Sequence, residues 1–125
     1  MADRIARGRA AYTRGVAAEA AACRALAADG WAVLARRVRT ASGEIDVVAE
    51  RDGLLALVEV KSRPTLSDAA VSVSLRQRAR LLAAAEIVLA ENPGWGGNGV
   101  RFDVMVVDAT GRVRRVADAF RQEEP

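Results

Sequence analysis

Asp46, Glu59 and Lys61 are the residues whose types and spacing could do chemistry. They stand in two apolar runs, "GEIDVVAE" and "LLALVEVKSR", where a buried strand would ordinarily carry Val or Ile. The runs flank Asp52-Gly53, and Asp-Gly between apolar runs signals a two-residue type I′ hairpin turn. With Arg51 and Leu54 closing that turn, Asp46 is expected opposite Glu59 and Glu44 opposite Lys61. All four then share one face, because side chains alternate along a strand. The other face would carry Ile45, Val47 and Ala49 against Val60, Val58 and Ala56. Carboxylates opposed at about 5 Å repel by roughly 3 kcal/mol at an effective dielectric of ~20. Within a sheet, that repulsion demands a shared proton or a cation. An oxygen-only donor set suits a hard divalent ion, Mg²⁺ or Mn²⁺. Lys61, about 7 Å further along the same face, can reach a bound water or a substrate oxygen. A metal with a lysine beside it is the chemistry of phosphodiester hydrolysis. The plainer alternative is a surface network, with Glu44–Lys61 an ordinary ion pair and Asp46 and Glu59 solvated.

Composition narrows the choice. The chain has 125 residues and no histidine. That removes Ser-His-Asp triads, Cys-His pairs, HExxH metal sites and histidine bases together. The lone Cys23 excludes an internal disulfide and a cysteine-rich zinc site. All but one of the 19 basic residues are arginine, and the exception is Lys61. A single position that kept lysine suggests a task that the planar, always-charged guanidinium performs poorly. No apolar run approaches the ~20 residues of a membrane helix. No apolar signal core follows the basic N-terminus. A cytoplasmic protein without a membrane partner is expected.

The elements that must position these residues follow from periodicity and breakers. Residues 1–12 read as a basic, flexible arm, and 13–29 as an Ala-rich helix stopped by Gly30. Its apolar stripe is drawn through Val16, Ala20, Cys23 and Ala27, with Glu19 at the border. A strand over 31–40 and a turn at Ala41-Ser42-Gly43 lead into the hairpin, which Pro64 ends. Residues 65–73 are ambiguous, and 74–91 form an amphipathic helix with Leu75, Leu82 and Leu89 at heptad spacing. The Gly-rich loop 92–99 lacks the spacing of a phosphate-binding fingerprint. Trp95 within it is expected to cap the core rather than stack on a base. A strong strand over 100–109, a turn at Thr110-Gly111, a weaker strand and a polar tail at 121–125 complete the chain. The order αβββαββ makes 13–120 a single α/β domain. It has an antiparallel meander, a fourth strand parallel to the third across the helical crossover, and helices on the faces of a mixed sheet.

With "GVAAEAAACRAL", "GEID", "VEVKSR" and "RFDVMVV" in that order, the chain resembles the YraN-like family of bacterial proteins. That family looks like a branch of the PD-(D/E)XK nuclease superfamily, close to the archaeal Holliday-junction resolvases. The resemblance implies a restriction-endonuclease-like three-layer fold. It implies Asp46 and Glu59 as metal ligands, the Val60 carbonyl as a further ligand, and Lys61 as the catalytic lysine. Glu19 matches the acidic residue that related resolvases place beside the metal on the first helix. Ile45 stands where the superfamily's name has proline. Gln77 stands where the family often has lysine; it can hydrogen-bond a phosphate but lacks the charge that a catalytic role there would use.

Arg36, Arg37, Arg39, Arg63, Arg76, Arg78 and Arg80 are candidate contacts to DNA phosphates, together with Gln77. Three readings follow. The first is a Mg²⁺- or Mn²⁺-dependent endonuclease acting on branched, flapped or nicked DNA, a homodimer by analogy with resolvases. The second is a non-catalytic DNA-binding or partner-recruiting module on the same fold. The third is a structural protein with an ion-paired hairpin.

Overall fold

The computed structural model describes residues 2–66 and 74–120. The ambiguous segment, except its first two residues, and the polar tail lie outside the described residues. The order is α1 (Ala2–Ala28), β1 (Ala32–Thr40), β2 (Gly43–Arg51), β3 (Leu54–Ser62), α2 (Leu75–Glu91), β4 (Val100–Val107) and β5 (Val113–Phe120). The five strands lie in that same order in one sheet. All neighbours are antiparallel except β3 and β4, which run parallel across the α2 crossover. One helix covers each face, so the expected αβββαββ order and three-layer α/β architecture are both present. No helix among the described residues is long and apolar enough to cross a membrane.

Helix α1 begins at Ala2, where the sequence reading placed the helix only from residue 13. Ala and Arg are strong helix formers and carry the chain through Gly8 and Gly15, each of which costs about 1 kcal/mol relative to Ala. The residues from Asp3 to Arg14 are all exposed. They have no buried stripe, which is why periodicity did not reveal them. The side against the sheet is Ala18, Ala21, Ala22 and Leu26. The expected stripe is displaced from this: Ala27 is exposed and Cys23 only half-buried. In an Ala-rich helix a stripe can be drawn on almost any side, and the one large side chain, Leu26, decides it. The helix ends as expected. Gly30 adopts φ 83, and the Trp31 N–H donates to the Leu26 carbonyl at 2.9 Å.

On α2, Ser74 caps the helix by accepting the Gln77 N–H. The buried residues are Leu81, Ala84, Ala85 and Val88, while Leu75 is 81% exposed. A helix lying on a sheet buries this wide i, i+3, i+4, i+7 stripe rather than a heptad seam. Trp95 packs against this side of the core, as expected.

The hairpin turn has the predicted chemistry: Asp52 and Gly53 adopt φ 53 and 78, and Arg51 pairs with Leu54. Near the turn the strands are apolar on both faces. Val47, Ala49, Ala56 and Val58 lie under α1, and Val48, Leu55 and Leu57 under α2. The β2–β3 ladder runs only from Arg51–Leu54 to Val47–Val58. The pairings expected of Asp46 with Glu59 and of Glu44 with Lys61 are therefore not ladder pairs. On the other side of β2, the pairing passes from Arg36–Val47 to Val38–Ile45 and skips Arg37 and Asp46. Arg37 sits at φ 51, in the left-handed region. That kink breaks the two-residue alternation in both strands. Ala35 and Val38 meet the same core cluster, and so do their partners Val48 and Ile45. Ile45 thus faces α2 instead of sharing the α1 face with Val47. Asp46 stands at the junction, between two ladders that both leave it out.

Candidate metal site

Asp46 is built by that break. Beyond Val47–Val58 the two strands part, and the Asp46 carboxylate takes over the freed backbone donor: Val60 N–H donates to Asp46 Oδ2 at 2.8 Å. Burial, partly offset by this bond and reinforced by the charges of Glu59, Glu19 and Glu44, pushes the Asp46 carboxyl up to about 6 from its ordinary 3.8. The N–H and C=O of one extended residue point to the same strand edge. The Val60 carbonyl, the further ligand implied by the resemblance, therefore faces the gap that β2 leaves.

Glu59 is held at one oxygen and bare at the other. Its Oε1 accepts from Lys61 Nζ at 3.4 Å and from Gln77 Nε2 in a short hydrogen bond. Its Oε2 is buried without a partner. A buried carboxylate oxygen with no donor costs of order 1–3 kcal/mol, more when charged. The Glu59 side chain lines a cavity of about 180 Å³, together with Glu44, Asp46, Arg80 and Leu81. The all-oxygen donor set, the bare Glu59 oxygen and the raised Asp46 carboxyl fit a hard divalent cation. Among the described residues no group of three or more acidic, His or Cys side chains is close enough to hold a metal together. The protein donors would be Asp46, Glu59 and the Val60 carbonyl.

Glycine at the head of "GEID" has a local reason. Gly43 has φ 142, and a Cβ there would lie 2.8 Å from Arg80 Cγ. The Arg80 stem crosses the backbone at Gly43, and Arg80 lines the cavity, which puts this sequence candidate at the site. Gln77 joins the site through Glu59. Glu44, expected opposite Lys61, pairs instead with the exposed Arg39 at 3.6 Å.

Glu19 is only 8% exposed, not a solvated helix-edge residue, and its charge reaches Asp46. Both its oxygens are occupied, however. Arg37 Nε donates at 3.2 and 2.9 Å, and Arg37 Nη2 lies 2.8 Å from Oε2. The same guanidinium reaches the Tyr12 hydroxyl at 3.4 Å and stacks over its ring at 5.4 Å. Glu19 is thus beside the site and clamped, and the part-exposed Arg37 is engaged by Glu19 and Tyr12. Arg36, Arg39, Arg63, Arg76, Arg78 and Arg80 are exposed. Arg76 and Arg78 flank Gln77 at the start of α2, and Arg63 follows β3, one residue beyond its end.

The sequence reading missed a second buried acid. Asp103, in the "RFD" motif, is held on β4 by Arg101 at 3.2 Å and by Arg115 Nε at 2.9 Å. Three guanidinium groups, those of Arg51, Arg101 and Arg115, lie 4.8, 4.9 and 4.7 Å from the Trp31 ring. The i, i+2 spacing of Arg101 and Asp103 was the available signal, since it places both on one strand face.

A family model described as Uncharacterised protein family UPF0102 matches residues 18–107, which include every acidic residue of the site. The chain is 59% identical over 121 residues to a UPF0102 protein of Granulibacter bethesdensis, across 97% of this chain and 77% of that protein. It is 47% identical over 122 residues to one from Acidiphilium cryptum, across 98% and 94% of the two chains. A third, from Azorhizobium caulinodans, is 45% identical over 117 residues, across 94% and 89%. The chain that carries the "GEID", "VEVKSR" and "RFD" residues of this site therefore belongs to the UPF0102 family, the YraN-like family that its motifs resemble.

Proposed function

We propose that the protein is a Mg²⁺- or Mn²⁺-dependent endonuclease that hydrolyses DNA phosphodiester bonds, with branched, flapped or nicked duplex as its substrate class. The observation that carries this reading is the buried, unpartnered Oε2 of Glu59, in a side chain that lines one cavity together with Asp46. A bound divalent ion supplies Lewis-acid charge stabilisation at the phosphoryl group and an activated water near neutral pH. The chain's own residues do the rest. Asp46, fixed by the Val60 N–H, and Glu59, fixed at Oε1 by Gln77, hold their carboxylates in place before any ligand arrives. Lys61, the one compact cation of the chain, offsets charge that builds on the phosphoryl oxygens. Arg80 binds a phosphate at the cavity mouth. Cutting two strands needs two such sites, which favours a homodimer.

The test is cleavage of four-way junctions, flaps and linear duplex with Mg²⁺ or Mn²⁺, wild type against Lys61→Ala. Cleavage by the wild type and a loss of at least ~100-fold in the variant are expected, the scale of removing a transition-state electrostatic contact. No cleavage at high enzyme, or equal cleavage by the variant, would sink the reading. The clamp of Arg37 on both Glu19 oxygens favours a second reading, a DNA-binding or partner-recruiting module without catalysis. It expects DNA binding indifferent to divalent metal and to Asp46→Asn.

A further inference from the structure

The first half of α1 takes no part in the core and carries an unusual share of the charge. From Asp3 to Arg14 the helix holds four arginines and one aspartate, a formal excess of +3. The whole chain has 19 basic and 16 acidic residues, also +3, so everything outside this half-helix is formally neutral.

The placement of the half-helix is fixed at two points. Arg51 Nη1 donates to the Asp29 carbonyl at 2.9 Å, which sets the C-terminal end of α1 beside the hairpin turn. Glu19 is clamped by Arg37. From Glu19 back to Asp3 the helix runs about 24 Å at 1.5 Å per residue. From Arg37, β1 continues for only three more residues, about 10 Å. The helix therefore overhangs the sheet at the end where β2 and β3 part around Asp46 and Glu59. Tyr12, in contact with Arg37, braces the overhang.

The arginines have a direction. Arg14 precedes Ala18 by four residues, Arg7 precedes it by eleven, and Arg4 precedes Ala22 by eighteen, each close to a whole number of 3.6-residue turns. Ala18 and Ala22 face the sheet. Arg4, Arg7 and Arg14 therefore line the sheet-facing side of the overhang, at the end of the sheet that holds the site, while Arg9 lies on the opposite side. Ile5 and Tyr12, the exposed apolar side chains of this segment, fall on a different side from the three arginines. The arginine side lacks the apolar anchor of a protein hot spot and presents three guanidinium groups over about 15 Å, with Asp3, one turn before Arg7, as the only acid among them. Such a row suits backbone phosphates.

We propose that the overhanging half of α1 is a phosphate clamp for double-helical nucleic acid, with Arg4, Arg7 and Arg14 gripping the backbone of the arm next to the site. It rests on the nuclease reading for the role of that duplex as substrate, and the experiment separates the two. Binding of a labelled linear duplex is followed by fluorescence anisotropy in EDTA over a range of NaCl concentrations, with the full chain and an R4Q/R7Q/R14Q variant. The variant is expected to bind at least tenfold more weakly at low salt, and its log–log salt slope to fall by about 2–3, one phosphate contact per arginine. R9Q is expected to bind as the wild type does. R4K/R7K/R14K, which keeps charge and helix, is expected to keep most of the affinity. An unchanged affinity and slope in R4Q/R7Q/R14Q would overturn the proposal, as would loss of binding in the lysine variant. So would a wild-type dimer in sedimentation that R4Q/R7Q/R14Q converts to monomer, because the face would then be a contact between copies. D46N separates the readings: unchanged binding with lost cleavage supports both. Binding that needs the three arginines, without cleavage by the wild type, leaves the clamp standing and removes the nuclease.

Discussion

Two aspartates on adjoining parts of one sheet meet opposite fates. Asp103 on β4 is deeply buried and fully compensated: two arginines bind it, and both lie against Trp31 along with Arg51. Asp46 on β2 is also substantially buried, but the donor that binds it is a single backbone N–H, and its acidic neighbours are Glu59, Glu19 and Glu44. The Asp103 charge is spent on holding Arg101 and Arg115. Asp46 has no such cation among the described residues and stands beside a cavity. A fold that had only to be stable could treat both alike, and the difference is the one that the proposed metal site would explain.

That contrast can be broken by substitution. The largest effect is expected at Asp103→Ala, which strands Arg101 and Arg115 and removes about 3 kcal/mol of stability, read as a lower midpoint in urea. A midpoint within error of the wild type would make the buried cluster ornamental. Asp46→Asn is expected to act in the opposite direction. The Asp46 carboxyl is pushed up to about 6, above its unfolded value of 3.8. The folded state therefore holds this proton more tightly, and the ionised group is a net cost to folding. The cost is absent below pH 3.8, grows as pH rises, and is complete above about 6. The metal-free variant should be more stable than the wild type by about 1–2 kcal/mol at pH 7, after discounting for partial solvent exposure, and no more stable at pH 3.5. Paired melts at the two pH values give the answer, and destabilisation at pH 7 would contradict it. Divalent metal should reverse the order: Mn²⁺ is expected to raise the melting temperature of the wild type at pH 7.5 and leave D46N unmoved, with the effect fading as pH falls below about 6. The smallest effect is expected at Gly43→Ala. Its cost of about 1 kcal/mol comes from φ 142 and the Arg80 stem, and a weaker hold on phosphate should accompany it.

Much of this site was legible. The Asp-Gly turn, its register, the burial of Val47 and Val58 and the approach of Lys61 to Glu59 all follow from backbone geometry and the two-residue repeat. What escaped was where the repeat fails. Arg37 at φ 51 is not signalled by residue type, since arginine has no preference for that region. Yet it moves Ile45 to the other face and leaves Asp46 out of both ladders. The extent of α1 escaped for a different reason: an exposed helix has no apolar period to read.

The sequence alone determined the order of elements, the hairpin and the presence of acids in strands, because these depend on neighbours along the chain. It also determined that none of these 125 residues is a histidine. Only the tertiary structure decided which acids keep their charge uncompensated. For the two most buried acids the answer depends on partners far away in sequence: Arg37 for Glu19 and Arg115 for Asp103. Charge compensation acts through space with a strength set by burial, and no local pattern encodes that.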